Sequence, residues 1–265
     1  MAVYVAQLAA KHRSAATMAR ALTAITATHI ELGHAPPLRR TARSTVAEHT
    51  GNAAVRKAAP VTVSALRAMV AACSSRRGIG TRDRALLVLG FATGARRSEL
   101  AALDLADATE TSSSLNVTIG SGRSHRTARL PYGQNPLTCP VRTLRTWKRV
   151  LSEHGHTQGP LFVRIDRHGN VGRCASGKGS ADGRLSDRAV ASIVHRTAHQ
   201  AGLDPQACWS GHSLRRGMAT EAYRTGADPV GIAQHGGWQS GSQALHGNFV
   251  PSGDWVANPL LSVGL

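Results

Sequence analysis

Residues 211–238 read GHSLRRGMATEAYRTGADPVGIAQHGGW. The first part turns into a helix after His212, and PVGIAQHGG starts the next one on Pro229. His212 and Arg215 are three apart, so at a helix start they project on one side. A guanidinium can clamp two phosphate oxygens, and an imidazole beside it can donate or accept a proton. Gly236 and Gly237 let a backbone come close, and Trp238 presents an indole N–H donor. Each feature also has a plainer explanation. A His-x-x-Arg pair can be a basic helix start touching DNA backbone or water, and a lone Trp at a turn is usually core.

The chain around this stretch favours an anionic partner. Its 265 residues carry 32 Lys+Arg against 15 Asp+Glu, a net charge of +17. Such an excess attracts polyanions, of which nucleic acid is the usual one, although an arginine-rich, high-GC composition would give the same count. The hydrophobic fraction of 42% is ordinary, and with aromatics at 4% the core must be mostly Ala, Leu and Val. Cys73, Cys139, Cys174 and Cys208 form no C-x-x-C pair, which argues against zinc and against a disulfide framework. The N-terminal MAVYVAQLAAKHRS is too interrupted for a signal sequence, and no run approaches the ~20 apolar residues of a membrane span. A soluble, intracellular protein is expected, cytoplasmic and nucleoid-associated.

Helices dominate the rest. Residues 3–12 and a Ser14-capped run ending at Gly33 read as two helices, the second striped by Met18, Leu22, Ile25 and Ile30. A third covers 41–49, and TGNAAVRKAAP is a linker. Beyond Pro60, VTVSALRAMVAACSS is a helix with Ser64 as a cap, and TRDRALLVLGFATG is an apolar helix stopped by Gly94. ELAALDLADA reads as a short helical piece. SLNVTIG and HRTARLP alternate around a GSGRS turn and predict a hairpin. CPVRTLRTWKRVLSEHG opens a helix at Pro140, residues 172–184 are loop, and Ser186 caps SDRAVASIVHRTAHQAGL with Ala189, Ile193 and Val194 on one face. The fold class is mainly α with a small antiparallel β-sheet. A small helical unit spans residues 1–57 and a larger one residues 58–265.

A second chemical fragment is TGARRSEL, Thr93–Leu100. Arg96 falls on a tight turn after a helix-stopping glycine, and Glu99 three residues later can orient a guanidinium. The plainer alternative is a surface helix start with ordinary charges.

Taken in order, TGARRSELAALDLAD, GHSLRRGMAT and IAQHGGW resemble the first arginine box, the His-x-x-Arg box and the final His/Trp box of the tyrosine recombinases, or phage integrases. CPVRTLRTW, GPLF and the closing NPL…VGL are similar to family segments as well. The resemblance covers roughly residues 58–265, and residues 1–57 resemble a shortened core-binding domain. It implies a two-domain clamp on double-stranded DNA, acting in DNA integration and site-specific recombination. It also implies a tyrosine nucleophile, no metal and no cofactor. Arg96 and Arg215 would hold the non-bridging oxygens, His212 would hydrogen-bond the same phosphate, Trp238 would donate or pack, and Glu99 would support Arg96.

Two departures from the family pattern follow. The family's hairpin-turn lysine is missing from IGSGRSHR; Arg123 and His125 are the nearest substitutes, and Arg is a poor proton donor. The nucleophile is expected about nine to eleven residues past Trp238, where Gly247, Asn248 and Phe249 stand; Asn248 is the best match and Phe249 the alternative. Ser240 and Ser242 are hydroxyls in the right loop, but serine nucleophiles belong to an unrelated recombinase mechanism. Of the tyrosines, Tyr223 is expected in the core and Tyr132 is a remote candidate. An active recombinase with another nucleophile, an inactive DNA-binding or regulatory relative, and an unrelated basic helical protein all remain open. A tetramer on two duplexes or an active recombinase partner is implied by the family. A shortened first unit would grip DNA more weakly.

Overall fold

The computed structural model describes residues 2–11, 13–36, 57–74, 78–120, 122, 125–166, 168–172, 180–239 and 241–248. The chain separates into two compact units, Met1–Arg56 and Lys57–Leu265. In the first, α1 (Ala2–Ala10) and α2 (Ala15–Glu31) meet through Val5 and Met18, both buried, with Leu8 and Leu22 beside them. Ser14 caps α2 by accepting from the Thr17 N–H at 3.2 Å. The expected apolar stripe fades at its end, since Ile30 is exposed. The helix expected over 41–49 lies outside the described residues.

The second unit is built around one helix. α4 (Ile79–Thr93) buries Leu86, Leu87, Val88 and Leu89 in succession, so it is apolar on every side. One side joins α5 (Arg97–Ala102), the sheet, α6 (Pro140–Glu153) and α7 (Asp187–Gln200). The other joins α3 (Val63–Ala72), α7 and α8 (Gly211–Arg224). On α6, Val141, Leu144, Trp147 and Leu151 recur at helical spacing and are buried, and the Trp147 indole donates to the Leu161 carbonyl at 2.8 Å. α9 (Pro229–Gly236) and α10 (Gln243–His246) close a third small core of Met218, Ala219, Ile232, Ala233 and Leu245.

The expected hairpin forms. β2 (Ser114–Ile119) pairs antiparallel with β3 (Arg126–Pro131), Ile119 opposite Arg126 and Leu115 opposite Leu130. A third strand, β1 (Ala108–Glu110), adds to the free edge of β2. Its residues continue what reads as helix in ELAALDLADA. The helix stops earlier because the Arg184 guanidinium donates to the carbonyls of Ala101, Ala102 and Leu103, and Leu161 N–H bonds the Leu103 carbonyl. Partners that distant in sequence cannot be inferred from local pattern. A smaller correction concerns α3, whose cap is Thr62, accepting from the Ala65 N–H at 3.1 Å, instead of Ser64. The loop expected over 172–184 is described only at Gly172 and from Ser180 onward.

Three helix ends set up the site. α4 ends at Gly94, which is left-handed at φ 59° and so turns the chain into Arg96 at the start of α5. α8 begins one residue before His212, placing His212 and Arg215 in its first turns. The end of α9 delivers Trp238. Among the described residues no helix is long and apolar enough to cross a membrane.

Candidate functional site

Arg96, His212, Arg215, Trp238 and Asn248 line one pocket of about 390 Å³, together with Lys57, Ala58, Arg216, Ala244 and Gly247. Each neighbouring arginine pair divides between two tasks. Arg96 stays half exposed beside the pocket, whereas Arg97 turns to Asp187 at 3.2 Å. Arg215 is buried in the pocket floor, whereas Arg216 donates to the Ala58 carbonyl at 2.7 Å.

Arg215 is held from two directions. One guanidinium nitrogen donates to the carbonyls of Gly94 and Gly236, the last of these at 2.5 Å. Its carbon stacks 3.5 Å from the Trp238 ring centroid. The other terminal nitrogen, Nη2, is buried and has no hydrogen-bond partner among the described residues. A buried guanidinium N–H without an acceptor is costly, and an anionic oxygen is what would satisfy it. Burial first, then the charge of Arg96 and, more weakly, of Arg126, pulls Arg215 down to about 9, with Glu99 opposing. It remains a cation at neutral pH. Trp238 engages the site through its ring face. Gly236 makes room for it, since a Cβ there would lie 1.9 Å from the indole Cζ3. Gly236→Ala is therefore expected to push the indole off Arg215 and to cost about 1–3 kcal/mol through overpacking. Denaturant melts of both proteins check this; unchanged stability would mean that the ring moves freely.

Glu99 organises the cations. Its carboxylate accepts the Arg96 N–H at 2.7 Å and the Arg96 guanidinium at 2.5 Å, and lies 3.4 Å from both terminal nitrogens of Arg126. Burial would raise this carboxyl, but the Arg96 bonds and the charges of Arg126 and Arg96 outweigh it and hold the group below the usual glutamate range.

His212 meets Asn248. The Asn248 side-chain nitrogen donates to the Ala244 carbonyl at 2.5 Å, leaving its oxygen 3.2 Å from His212 Nε2. An amide oxygen only accepts, so Nε2 carries the hydrogen. Burial, then the Arg215 charge, lowers the His212 pKa below its ordinary value against the opposing Asn248 bond, so the neutral ring prevails at neutral pH. Asn248 is itself buried, and its backbone is fixed by Leu245 at 2.9 Å and by the Thr220 hydroxyl at 2.8 Å.

Other sequence candidates fall elsewhere. His125 bonds the Gly122 carbonyl at 2.8 Å, is exposed and does not line the pocket. Arg123, Ser240 and Phe249 lie outside the described residues. Tyr132 donates to Glu110 at 3.1 Å and accepts from Arg145 at 2.7 Å. It follows the far end of β3 from Arg126, roughly 20 Å away at strand rise. Tyr223, expected in the core, is instead 36% exposed on α8. Pocket residues missed by sequence reasoning include Lys57, which falls in what reads as a linker, and Arg216. Arg126, behind the pocket, is missed too. Yet its position carries a signal: it shares the strand face of Ala128 and Leu130, both buried, and a charge on a core face needs a partner.

The phage integrase family model matches residues 61–246. An integrase/recombinase xerD homolog of Selenomonas ruminantium is 31% identical over 228 residues, covering 82% of this chain and 63% of that protein. The tyrosine recombinase XerC of Bifidobacterium longum (strain DJO10A) is 34% identical over 150 residues, 56% of this chain and 37% of its own. The chain thus spans less than two thirds of the length of these curated relatives. Among solved structures, a lambda integrase tetramer bound to a Holliday junction has a TM-score of 0.54 at 16% identity, covering 93% of this chain and 68% of that one. XerH bound to palindromic difH substrate in a post-cleavage complex has a TM-score of 0.51 at 20% identity, covering 75% and 51%. At these identities the likeness is one of fold.

Proposed function

The chain belongs to the phage integrase family, whose matching relatives are tyrosine recombinases, and from there we propose that it binds duplex DNA with one backbone phosphodiester seated in the Arg96–His212–Arg215–Trp238 pocket, without cutting the strand. The single observation that carries this reading is Asn248. It occupies the pocket wall where the resemblance expects the nucleophilic tyrosine, and its side chain is bonded to His212. An amide oxygen held in a hydrogen bond is a poor nucleophile, and a lost nucleophile is hard to replace.

The remaining groups support anion binding. Arg96 and Arg215 would hold the non-bridging oxygens, the unpartnered Nη2 of Arg215 meeting one of them. Arg216 and Lys57 add positive charge at the rim, and the net charge of +17 supplies long-range attraction. The small helical unit is a second DNA contact in this reading. The protein would act at recombination sites as a DNA-associated component, assembling with further copies or with an active recombinase. Fold likeness to a lambda integrase tetramer on a Holliday junction favours four protomers. Integration and recombination would then depend on a nucleophile from the active recombinase, since further copies of this chain carry Asn248 as well.

The test begins with duplexes selected by the protein from a randomised pool. The preferred duplex is rebuilt as a nicked suicide substrate, and covalent protein–DNA adducts are scored on denaturing gels. Binding that weakens steeply with salt, and no adduct, is the expected result. An adduct with the natural chain would overturn the non-cutting reading, and mapping the attached residue would name the nucleophile. Failure to select any duplex would remove the DNA assignment itself.

A further inference from the structure

We propose that Arg126 is the positioning residue of the pocket: from behind, it fastens Glu99, and through it Arg96, to the α9 end that carries Trp238, and it touches no phosphate itself. The inference rests on the reading of the pocket as a phosphodiester site.

Three observations carry it. Arg126 opens β3 on the strand's inward face, its side chain is only 15% exposed, and it is absent from the pocket lining. Its guanidinium spans two elements that share no local sequence: Nε donates to the His235 carbonyl near the end of α9 at 3.1 Å, and both terminal nitrogens face Glu99 Oε2 at 3.4 Å. Glu99 in turn fixes Arg96 through main chain and side chain. Thus one side chain joins the hairpin, the start of α5 and the end of α9, the last two of which carry Arg96 and the Trp238 wall respectively.

The charges explain why a single carboxylate suffices. Arg96, Arg126 and Arg215 gather around Glu99, so the cluster keeps an excess of positive charge for an incoming phosphate. Without Arg126, Glu99 would lose one of its partners, and the half-buried acid would take up a proton more readily or turn wholly to Arg96. Either change loosens Arg96 at the pocket mouth. A residue acting this way leaves the count of phosphate contacts unchanged, and the salt dependence of DNA binding counts those contacts.

The experiment compares the full chain with Arg126→Met, Arg126→Lys, Glu99→Gln and the double variant Arg126→Met/Glu99→Gln on the duplex selected above. Arg126→Met is expected to weaken binding about tenfold with the slope of log affinity against log salt unchanged. The double variant should bind no worse than the weaker single one, because both act through one bond, and it also keeps a folded control by removing the orphaned acid. Arg126→Lys should recover part of the loss. A slope reduced by about one would make Arg126 a phosphate contact and overturn the proposal. So would additive losses in the double variant. A readout without DNA separates this from the DNA assignment: carbon-13 titration of the Glu99 carboxyl should move upward in Arg126→Met. An unchanged titration would sink the proposal even if DNA binds, whereas an upward shift with no duplex bound would leave Arg126 as the fastener of Glu99 and remove only the phosphodiester reading.

Discussion

On the non-cutting reading, Asn248→Tyr is expected to form a covalent complex with DNA where the natural chain forms none. The substituted side chain would start from a wall of the pocket, beside His212 Nε2 and the cations of Arg96 and Arg215. The pocket's volume of about 390 Å³ gives the ring a place to extend. With the amide gone, His212 is released from its bond to Asn248, and a neutral imidazole can exchange tautomer, protonated on Nδ1, so that Nε2 accepts the proton of the phenol. The phenolate oxygen would attack phosphorus, the bond to the 5′-oxygen would break, and the non-bridging charge would build against the arginines. In a serine hydrolase, loss of the nucleophile alone costs on the order of 10⁶ in rate, which sets the scale of what a hydroxyl at this position could restore. The chain lacks the hairpin-turn lysine that the resemblance expects, the group that would protonate the leaving oxygen. A duplex with a bridging 5′-sulfur at the scissile position removes that need, because a thiolate leaves without a proton. Adduct formation by Asn248→Tyr on the sulfur duplex, much faster than on the oxygen duplex, is the expected pattern. Should the variant bind DNA as well as the natural chain yet form no adduct on either duplex, Asn248 does not stand at the attacking position. Asn248→Phe, matched in bulk and lacking the hydroxyl, controls for repacking and should give none.

The sequence already contained most of what converges here, because much of the site sits at helix ends, and helix ends are written locally. Gly94 stops α4, Pro229 starts α9, and His212 and Arg215 share one side of α8 by spacing alone. The β2–β3 hairpin is equally local, its alternation surviving as buried Leu115, Val117 and Ile119. What escaped depends on partners far along the chain. β1 exists because Arg184, some eighty residues on, ends α5 by taking its carbonyls. Lys57 reaches the pocket because Ala59 N–H bonds the Cys208 carbonyl and Val61 N–H bonds Ser213, stitching what reads as a linker onto the start of α8. Tyr223 misleads in the opposite way: its helical spacing suits a core position, but the third core is filled by Met218, Ala219, Ile232 and Ala233 and leaves it on the surface. The hairpin turn shows a further limit. Arg123 and His125 stand nearest the place of the missing lysine, yet among the described residues it is Arg126, at the strand start, that bonds to Glu99 and the His235 carbonyl, because period-two geometry turns it inward.

Arg215→Met carries the other large expectation, and its two consequences run in opposite directions with pH. The substitution removes the buried donor to the Gly94 and Gly236 carbonyls and the cation stacked on Trp238. It also removes the group whose Nη2 awaits an acceptor. Truncating one partner of a buried, hydrogen-bonded charge pair costs about 2–5 kcal/mol, so duplex affinity should fall by roughly thirtyfold to several-thousandfold, with the salt slope lower by about one. Stability should fall less, because relief of a buried charge offsets part of the lost hydrogen bonding. In the folded, DNA-free chain burial and then the charge of Arg96 pull Arg215 down to about 9, well below the ordinary arginine value. Between those values the unfolded chain holds the proton and the folded chain sheds it, so this group's contribution to stability rises with pH across the window. Below about 9 the group is charged in both states, and the full cost of burying that charge is present. Binding has the reverse sign. A seated phosphate favours the guanidinium, so above about pH 9 the protein must take up a proton to bind, and affinity falls by up to tenfold per pH unit. Affinity measured from about pH 7.5 to 10 should therefore bend downward for the natural chain and run flatter for Arg215→Met, while denaturant melts of the DNA-free natural chain gain on the variant over the same range. Parallel affinity curves would mean that Arg215 does not meet the phosphate, and the pocket would lose its central cation.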